Sequence, residues 1–490
     1  LSNVSVYDIN NNLNTAKTLK TTIIILVSAL AMAIPFLVQR YPYLAALSLV
    51  VAIMMFVKAK TNLRAALIGY FFGFIFFLVQ TSWIISLTKF AGGWAYAGWL
   101  ALTLFQALAF LFFAIGLRVI HRRINNWVGA SVATALFFVS IEIIRAINLI
   151  AYPWGQLATP FVDAYPLYKF ATLAGWPGLT FIVALISSLI AFYFLKKPAM
   201  RQVSAISLMI LVFLLAISFV NTNPEGSSAK VAVIQTNIDM KEKMAGNIEK
   251  MRFDTLQNLV GNVSEGTRVA IGPESAVPGF YPSNSASYDL LNKSTEAKLI
   301  IGSLREQNGF TYNSVIDSGN FYDKNKLLLF GEHIPFDFLK ILIKPLNESL
   351  EAGVKAKPLG RIALLICSES GDSLYARNIV NKGAQIIAVS SNDAWFAGSS
   401  APAQHLQSTR LRAIENGRYL LMSANYGYSA IVGPDGKIIK KTRLGEEKVL
   451  EENVKMIKAK TFYTKYGFWT TLFLLIGGLA SVIYAFVGRK

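Results

Sequence analysis

Eight long apolar runs constrain this chain more than any other feature. They lie at about 20–39, 43–58, 65–88, 95–118, 128–148, 172–195, 203–220 and 467–487. A helix needs roughly 20 predominantly apolar residues to cross a bilayer core, and only the second run is clearly short of that. Composition agrees: 54% of residues are hydrophobic, 15% are charged and the mean hydropathy is +0.45. An Asn-rich tail precedes the first run and no small-residue cleavage site follows it, so it reads as a retained span rather than a signal peptide. The chain begins with Leu rather than Met, so residues before it are expected.

The net charge of +19 would suit a nucleic-acid binder, but its distribution points to a membrane. Residues 1–221 hold 15 Lys and Arg against three acids, Asp8, Glu142 and Asp163, whereas 222–466 hold 30 basic and 25 acidic residues. Alternate connections between the apolar runs collect 13 basic residues, from Lys17 and Lys20 to Arg489 and Lys490. The other side's short connections hold only Arg40, Lys89, Arg145 and Lys169. The positive-inside rule then puts both termini in the cytoplasm and the segment between runs seven and eight on the opposite side. The expected organisation is a polar tail (1–19), a seven-span membrane domain (20–221), a large extramembrane domain (222–465) and a last span (466–490).

The extramembrane segment reads as α/β. Short runs rich in Val, Ile and Ala recur at 230–238, 268–275, 297–306, 361–370 and 384–393, each ending in polar or Gly/Pro residues. Helical stretches are expected at 241–262 and 401–417, and VGPDGKII (432–439) reads as a hairpin with an Asp-Gly turn. Three histidines lie far apart and there is one cysteine, which argues against Cys-based or His-rich metal sites and excludes an internal disulfide.

That cysteine, Cys367, sits where the run RIALLI turns polar at Ser368, Glu369 and Ser370. A lone cysteine in an apolar run is more often inert core than nucleophile. Two other expected strand ends or loops carry complementary groups: Glu274 in GPES, and Lys324, Lys326 and Glu332 in YDKNKLLLFGEH. A thiol needs a base, which a carboxylate can supply, and an acyl-transfer oxyanion needs a cation or N–H donors. Residues two apart on a strand share a face, so Cys367 and Glu369 are expected to address one site if the strand continues. A papain-like pairing of Cys367 with His333 or His405 stays open on spacing. On the fifth span, Glu142 and Arg145 are three apart and can pair on one helix face. Charges there usually face a bundle interior, where they serve as a structural pair or position lipid headgroups.

Beyond these residue types, the segment resembles the carbon–nitrogen hydrolase (nitrilase) superfamily, whose hallmark is Glu, Lys and Cys in that chain order. With its apolar runs the chain resembles the apolipoprotein N-acyltransferase family. The resemblance rests on SNDAWFAGSSAPAQHLQSTRLRAIENGRYLLMSANYG (391–427), YDKNKLLLFGEHIP (322–335) and YPWGQLA (152–158). It implies a multi-span helical membrane domain joined to an α/β nitrilase-like αββα sandwich in a bacterial inner membrane, the catalytic domain in the periplasm. Glu274 would be the general base, Lys324 the triad lysine and Cys367 the acylated nucleophile. Glu332 would be a second essential carboxylate and Glu369 one that shapes the site. Trp395 and Phe396 would lie near the acyl chain, and Trp154, an interfacial anchor by residue type, at the substrate portal. Ser368, Leu329 and Met244 depart from the family pattern.

The implied reaction moves an acyl chain from a phospholipid, through a Cys367 thioester, to the amino group of a diacylglyceryl-cysteine on an apolipoprotein. It implies a monomer, no cofactor, no metal and no nucleic acid. Two rivals share the residues: a membrane-anchored amidase or nitrilase, and a non-catalytic scaffold. Segments 276–290 and 343–358 are candidate lids.

Overall fold

The computed structural model describes residues 6–147, 152–221, 225–240, 243, 248–329, 331–333, 350–354 and 356–487, with side chains from Leu19 onward. Met244 and 343–349 of the second candidate lid lie outside the described residues.

All eight apolar runs are helical. They form α1 (Val6–Val38), α2 (Tyr43–Lys58), α3 (Asn62–Gln80), α4 (Trp94–Arg123), α5 (Trp127–Ile147), α6 (Ala171–Lys196) and α7 (Met200–Ser218), with the eighth after the α/β region. Seven are long and apolar enough to cross a membrane, and α2 is shorter, at 16 residues. Helices suit this solvent because they satisfy their own backbone groups. Small residues set the closest contact. A Cβ on Gly69 would lie 2.4 Å from the Phe110 carbonyl oxygen, and one on Gly73 would lie 3.0 Å from that of Ala107. Glycine at both positions lets α3 and α4 approach backbone to backbone. By contrast α7 buries only Ile217.

Between the seventh and eighth apolar helices lie two sheets. Their strands are β1 (Gly226–Gln235), β2 (Val269–Ile271), β3 (Val277–Tyr281), β4 (Lys298–Gln307), β5 (Phe310–Asp317), β6 (Asn320–Asp323), β7 (Ile362–Ile366), β8 (Ile386–Ser391), β9 (Leu420–Ala424), β10 (Ala430–Val432), β11 (Ile438–Lys441) and β12 (Lys448–Ile457). One sheet runs β12-β1-β2-β4-β5-β6, with β3 also paired to β4, and the other runs β11-β10-β9-β8-β7. Strands β1, β2 and β4 are mutually parallel, as are β7, β8 and β9.

Strand periodicity explains the layering. Val231, Val233, Ile271 and Ile300 share one core with Ile362, Leu364 and Ile366, so these residues fill the gap between the sheets. Their neighbours Ala232, Ile234, Ala270 and Leu299 face outward under α8 (Glu249–Gly261) and α9 (Ser285–Lys293). Ala363 and Leu365 face α10 (Ser373–Asn381) and α11 (Ala401–Asn416). The result is the αββα sandwich on a helical membrane domain. Strands buried on both faces read as unbroken apolar runs, which is why RIALLI shows no alternation. The last helix, α12 (Phe462–Val487), returns to the bundle against α5 and α6.

The expected helix at 241–262 is observed as Glu249–Gly261. The first candidate lid is built of β3 and the start of α9 rather than open loop.

Candidate active site

The candidate residues gather where strands end, the usual location of sites in parallel α/β sheets. Glu274 follows β2. Its loop crosses over β4 at Gly302, where a Cβ would lie 2.4 Å from the Pro273 carbonyl oxygen and 2.6 Å from the Glu274 Cα. Only glycine lets the loop descend this far. The next residue, Ser275, takes a left-handed φ of 47°, and its carbonyl accepts from Lys243 Nζ at 2.8 Å and Arg252 Nη2 at 3.3 Å. Across the sandwich, Ser390 Oγ donates to the Gly272 carbonyl at 3.0 Å, joining the two sheets at the site.

Lys324 follows β6 and is 1% exposed. Its ammonium lies 2.7 and 2.8 Å from the two oxygens of Glu332, and 4.0 Å from Glu274 Oε1. Asn313 Nδ2 donates to Glu274 Oε1 at 2.6 Å and to Glu332 Oε1 at 3.0 Å, separating two carboxylates that would otherwise repel. Lys326 instead pairs with Asp372 at the surface.

Cys367 stands at the turn out of β7, half-buried, with φ of 49°. A non-glycine residue in this region is strained, and such strain clusters at functional sites. The strand ends at Ile366, and residues 367–371 form a 3₁₀ turn leading into α10. This corrects the expectation that Cys367 and Glu369 share a strand face. The Glu369 carboxylate turns back and is saturated: it accepts from the backbone N–H groups of Ile366, Asn325 and Lys326 and from the Tyr322 hydroxyl, at 2.7–3.1 Å. It binds the lysine loop to the nucleophile turn. Its fold is therefore a clamp, with burial pushing its carboxyl up to about 7 despite those donors.

Electrostatics differ by residue. Burial raises the Glu274 carboxyl above its ordinary value, Lys324 opposes that, and Glu332 adds to it. Burial alone would discharge Lys324, but Glu332 first, then Cys367 and Glu274, hold its proton more tightly than usual. Burial, then Glu274, push the Cys367 thiol well above its ordinary value, with Lys324 opposing and Asp393 and Glu332 adding. At rest Cys367 is thus a thiol beside a carboxylate of enhanced basicity.

Neither histidine pairs with the thiol: His333 is exposed, and among the described residues no hydrogen bond links His405 to the sulfur. His405 reaches the carbonyl behind Cys367 instead. Sequence reasoning also missed Asn313, whose neighbours carry no signal, and Asp393, which lay unremarked in the family-like stretch.

Trp395 and Phe396 belong to the 3₁₀ turn Asp393–Phe396 after β8. Trp395 packs edge-on against Phe90, and Phe396 against Trp83, both at 5.0 Å between ring centres. Trp83 meets Trp154 at 5.0 Å, and Trp154 meets His405 at 5.8 Å. An aromatic line thus runs from the α3–α4 connection to the back of the nucleophile turn. Glu142 and Arg145 are buried and 3.8 Å apart. The Arg145 guanidinium donates to the carbonyls of Tyr152, Trp154 and Gly155, while Glu142 accepts from Leu157 N–H and Thr180. The pair holds the Trp154 loop in shape.

Residues 230–460 match the family model described as carbon-nitrogen hydrolase, and residues 28–189 match the apolipoprotein N-acyltransferase N-terminal domain. An apolipoprotein N-acyltransferase of Haemophilus ducreyi is 30% identical, over 92% of this chain and 92% of its own. One of Coxiella burnetii is 28% identical, over 83% of this chain and 88% of its own. Among solved structures, Saccharomyces cerevisiae Nit3, a member of branch 10 of the nitrilase superfamily, is 18% identical with a TM-score of 0.36, covering 48% of this chain and 92% of that one. Fold, site and the match over 230–460 define an enzyme of the carbon–nitrogen hydrolase class carried on membrane helices. The chain belongs to the apolipoprotein N-acyltransferase family and is an acyltransferase.

Proposed function

We propose that this enzyme acylates lipoprotein N-termini in two steps through a thioester on Cys367. Glu274 takes the thiol proton as the sulfur attacks an ester carbonyl of a membrane phospholipid. The developing oxyanion is met by the Lys324 ammonium, a preorganised cation in a water-poor site. The ester C–O bond then breaks, Glu274 returns the proton to the departing glycerol oxygen, and a lysophospholipid leaves. In the second step the α-amine of a diacylglyceryl-cysteine attacks the thioester carbonyl. Glu274 takes a proton from the amine, the C–S bond breaks, and the thiolate recovers a proton as the amide forms. One carboxylate alternating between base and acid gives ping-pong kinetics.

The observation that carries this reading is the buried cluster of Lys324 between two carboxylates, coupled in charge to the strained Cys367. The apolar helices support a lipid donor, since both substrates keep their chains in a bilayer. The alternating basic connections support cytoplasmic termini, a periplasmic catalytic domain and an inner-membrane setting for residues 20–221 and 466–490. Trp154 and Phe396, joined through Trp83, and Trp395, packed on Phe90, would flank the acyl path.

The test is acyl capture. Wild-type protein incubated with a radiolabelled phospholipid should form a hydroxylamine-sensitive adduct that Cys367→Ala lacks. Adding a diacylglyceryl peptide should move the label to its amine. A label that persists in Cys367→Ala ends the thioester mechanism, and release only as free fatty acid ends the transferase.

A further inference from the structure

Behind the nucleophile turn lies a polar group that the two-step mechanism does not use. His405, on α11, is 2% exposed. Its Nδ1 is 2.9 Å from Asp393 Oδ1, and its Nε2 is 2.8 Å from Ser370 Oγ and 3.3 Å from the Cys367 carbonyl oxygen. Ser370 Oγ donates its single proton to that same carbonyl at 2.8 Å and accepts from Thr409 Oγ1 at 3.0 Å.

The partners point to the charge of the ring. A carboxylate and a carbonyl only accept. Nδ1 therefore donates to Asp393, and with the Ser370 proton on the Cys367 carbonyl, Nε2 donates to Ser370 and to that carbonyl. That arrangement puts hydrogen on both ring nitrogens and makes His405 an imidazolium. Its tendency to keep that proton agrees: burial alone would discharge it, but Asp393, the Cys367 carbonyl and Glu274 outweigh burial and raise its proton affinity.

The charge has a use. The charges that act most strongly on the Cys367 thiol are those of Glu274, Lys324, Asp393 and Glu332. Three are carboxylates and oppose thiolate formation. Glu332 is neutralised by Lys324, and Glu274 is the base itself, which leaves Asp393 as the carboxylate needing its own cation. His405 is faced by Asp393, Glu274 and the carbonyl of Cys367. The geometry points to His405 as a positioning residue for the nucleophile: a buried imidazolium that grips the carbonyl of the left-handed Cys367 turn and cancels the Asp393 charge behind the sulfur. This inference rests on Cys367 being the nucleophile.

Iodoacetamide alkylation reads the thiolate directly, since Cys367 is the only cysteine. With His405→Gln the Asp393 charge is uncompensated, so the alkylation profile should move to higher pH and the neutral-pH rate fall by about tenfold or more. In the double variant His405→Gln/Asp393→Asn both charges are gone, and the rate should return to within about threefold of wild type. A residue that merely packs would predict the reverse, with the double variant at least as impaired as the single. A profile unmoved in His405→Gln overturns the inference, and so does a double variant no faster than the single. Wild-type protein gives a check independent of folding. Labelled at histidine Cε1, its His405 carbon resonance, identified by its loss in His405→Gln, should hold the imidazolium position through pH 7, and a neutral ring there overturns the assignment. Full transfer activity in alkylated wild type would instead sink the nucleophile assignment while leaving the His405 charge measurement standing.

Discussion

The base role proposed for Glu274 makes two demands that pull its proton affinity in opposite directions. As a base it must be ionised, yet a base held strongly acidic by Lys324 would be too weak to take a proton from a buried thiol. Burial resolves this by lifting the carboxyl above the ordinary 4.5, with Glu332 adding to the lift. The expected outcome is an acid limb in kcat/KM lying above the ordinary carboxylate range, because activity is lost as falling pH protonates Glu274. Glu332→Gln removes a like charge and frees Lys324 toward Glu274, so both effects move that limb to lower pH. The same change loosens the lysine, and kcat should fall about tenfold to a hundredfold. A limb that stays put or moves upward would break the argument, and a pH–rate series on the two proteins decides it. At this scale the main candidates were legible chiefly through the family resemblance, since Glu and Lys are common and their types alone single out no site. Asn313 was not, since it sits mid-strand in TYNSVID and only the fold brings it between two carboxylates. The shared strand face of Cys367 and Glu369, conditional on the strand continuing, fails for a geometric reason: a left-handed Cys367 ends the strand, and the two-residue periodicity ends with it.

Among the elements, those legible in the sequence were the strands buried on both faces, β1, β2, β4, β7 and β8, together with the β10–β11 hairpin. Of the strands that escaped, β5 carries polar residues inward and β12 lies at a sheet edge, whereas β9 is central and buried throughout but only five residues long. In β5 the buried positions include Asn313, which serves the site, and Ser314, which donates to Asp323, and both break the apolar signal. Edge strand β12 keeps charged residues along KVLEENVKMI and buries only part of its length. Strand β4 matters for another reason, because Gly302 sets the height of the Glu274 loop. In Gly302→Ala the three atoms nearest the new methyl would be backbone atoms of residues 273–275, which cannot rotate away. The loop must lift. Overpacking of this kind costs about 1–3 kcal/mol. A displacement near 1 Å at the base costs on the order of a hundredfold in rate. Melting in detergent together with kcat measures both. Rate loss without a matching loss of stability would still fit, whereas wild-type activity would mean that the loop height is irrelevant.

For the whole molecule, the question is what holds a sandwich at the membrane surface with its site against the bundle. Helix α11 answers it. In a free sandwich the outer helices would show water one face, but here 15 of its 16 residues are buried. Leu411 and Ile414 enter the core of the membrane helices. Gln404 exchanges hydrogen bonds with Gln80 at the end of α3, and Arg410 pairs with Asp163. Glu415, fully buried, pairs with Arg412 at 2.8 Å, accepts from Ser373 at 2.8 Å and caps Trp176 N–H of α6 at 2.9 Å. One carboxylate therefore ties the helix that follows the nucleophile turn to a membrane helix. In Glu415→Gln the Arg412 charge stays buried without its partner, which costs about 3–5 kcal/mol. Replacing both members with apolar residues, Arg412→Met/Glu415→Leu, removes the stranded charge and should recover most of that stability. The double variant leaves Trp176 N–H and Ser373 without their Glu415 acceptor, however, so activity should remain low while the melting temperature returns. Melting and acyl transfer measured on both variants separate the two roles. If activity recovers in step with stability, Glu415 contributes only to folding, and the alignment of sandwich and bundle depends on the Gln80–Gln404 and Asp163–Arg410 contacts.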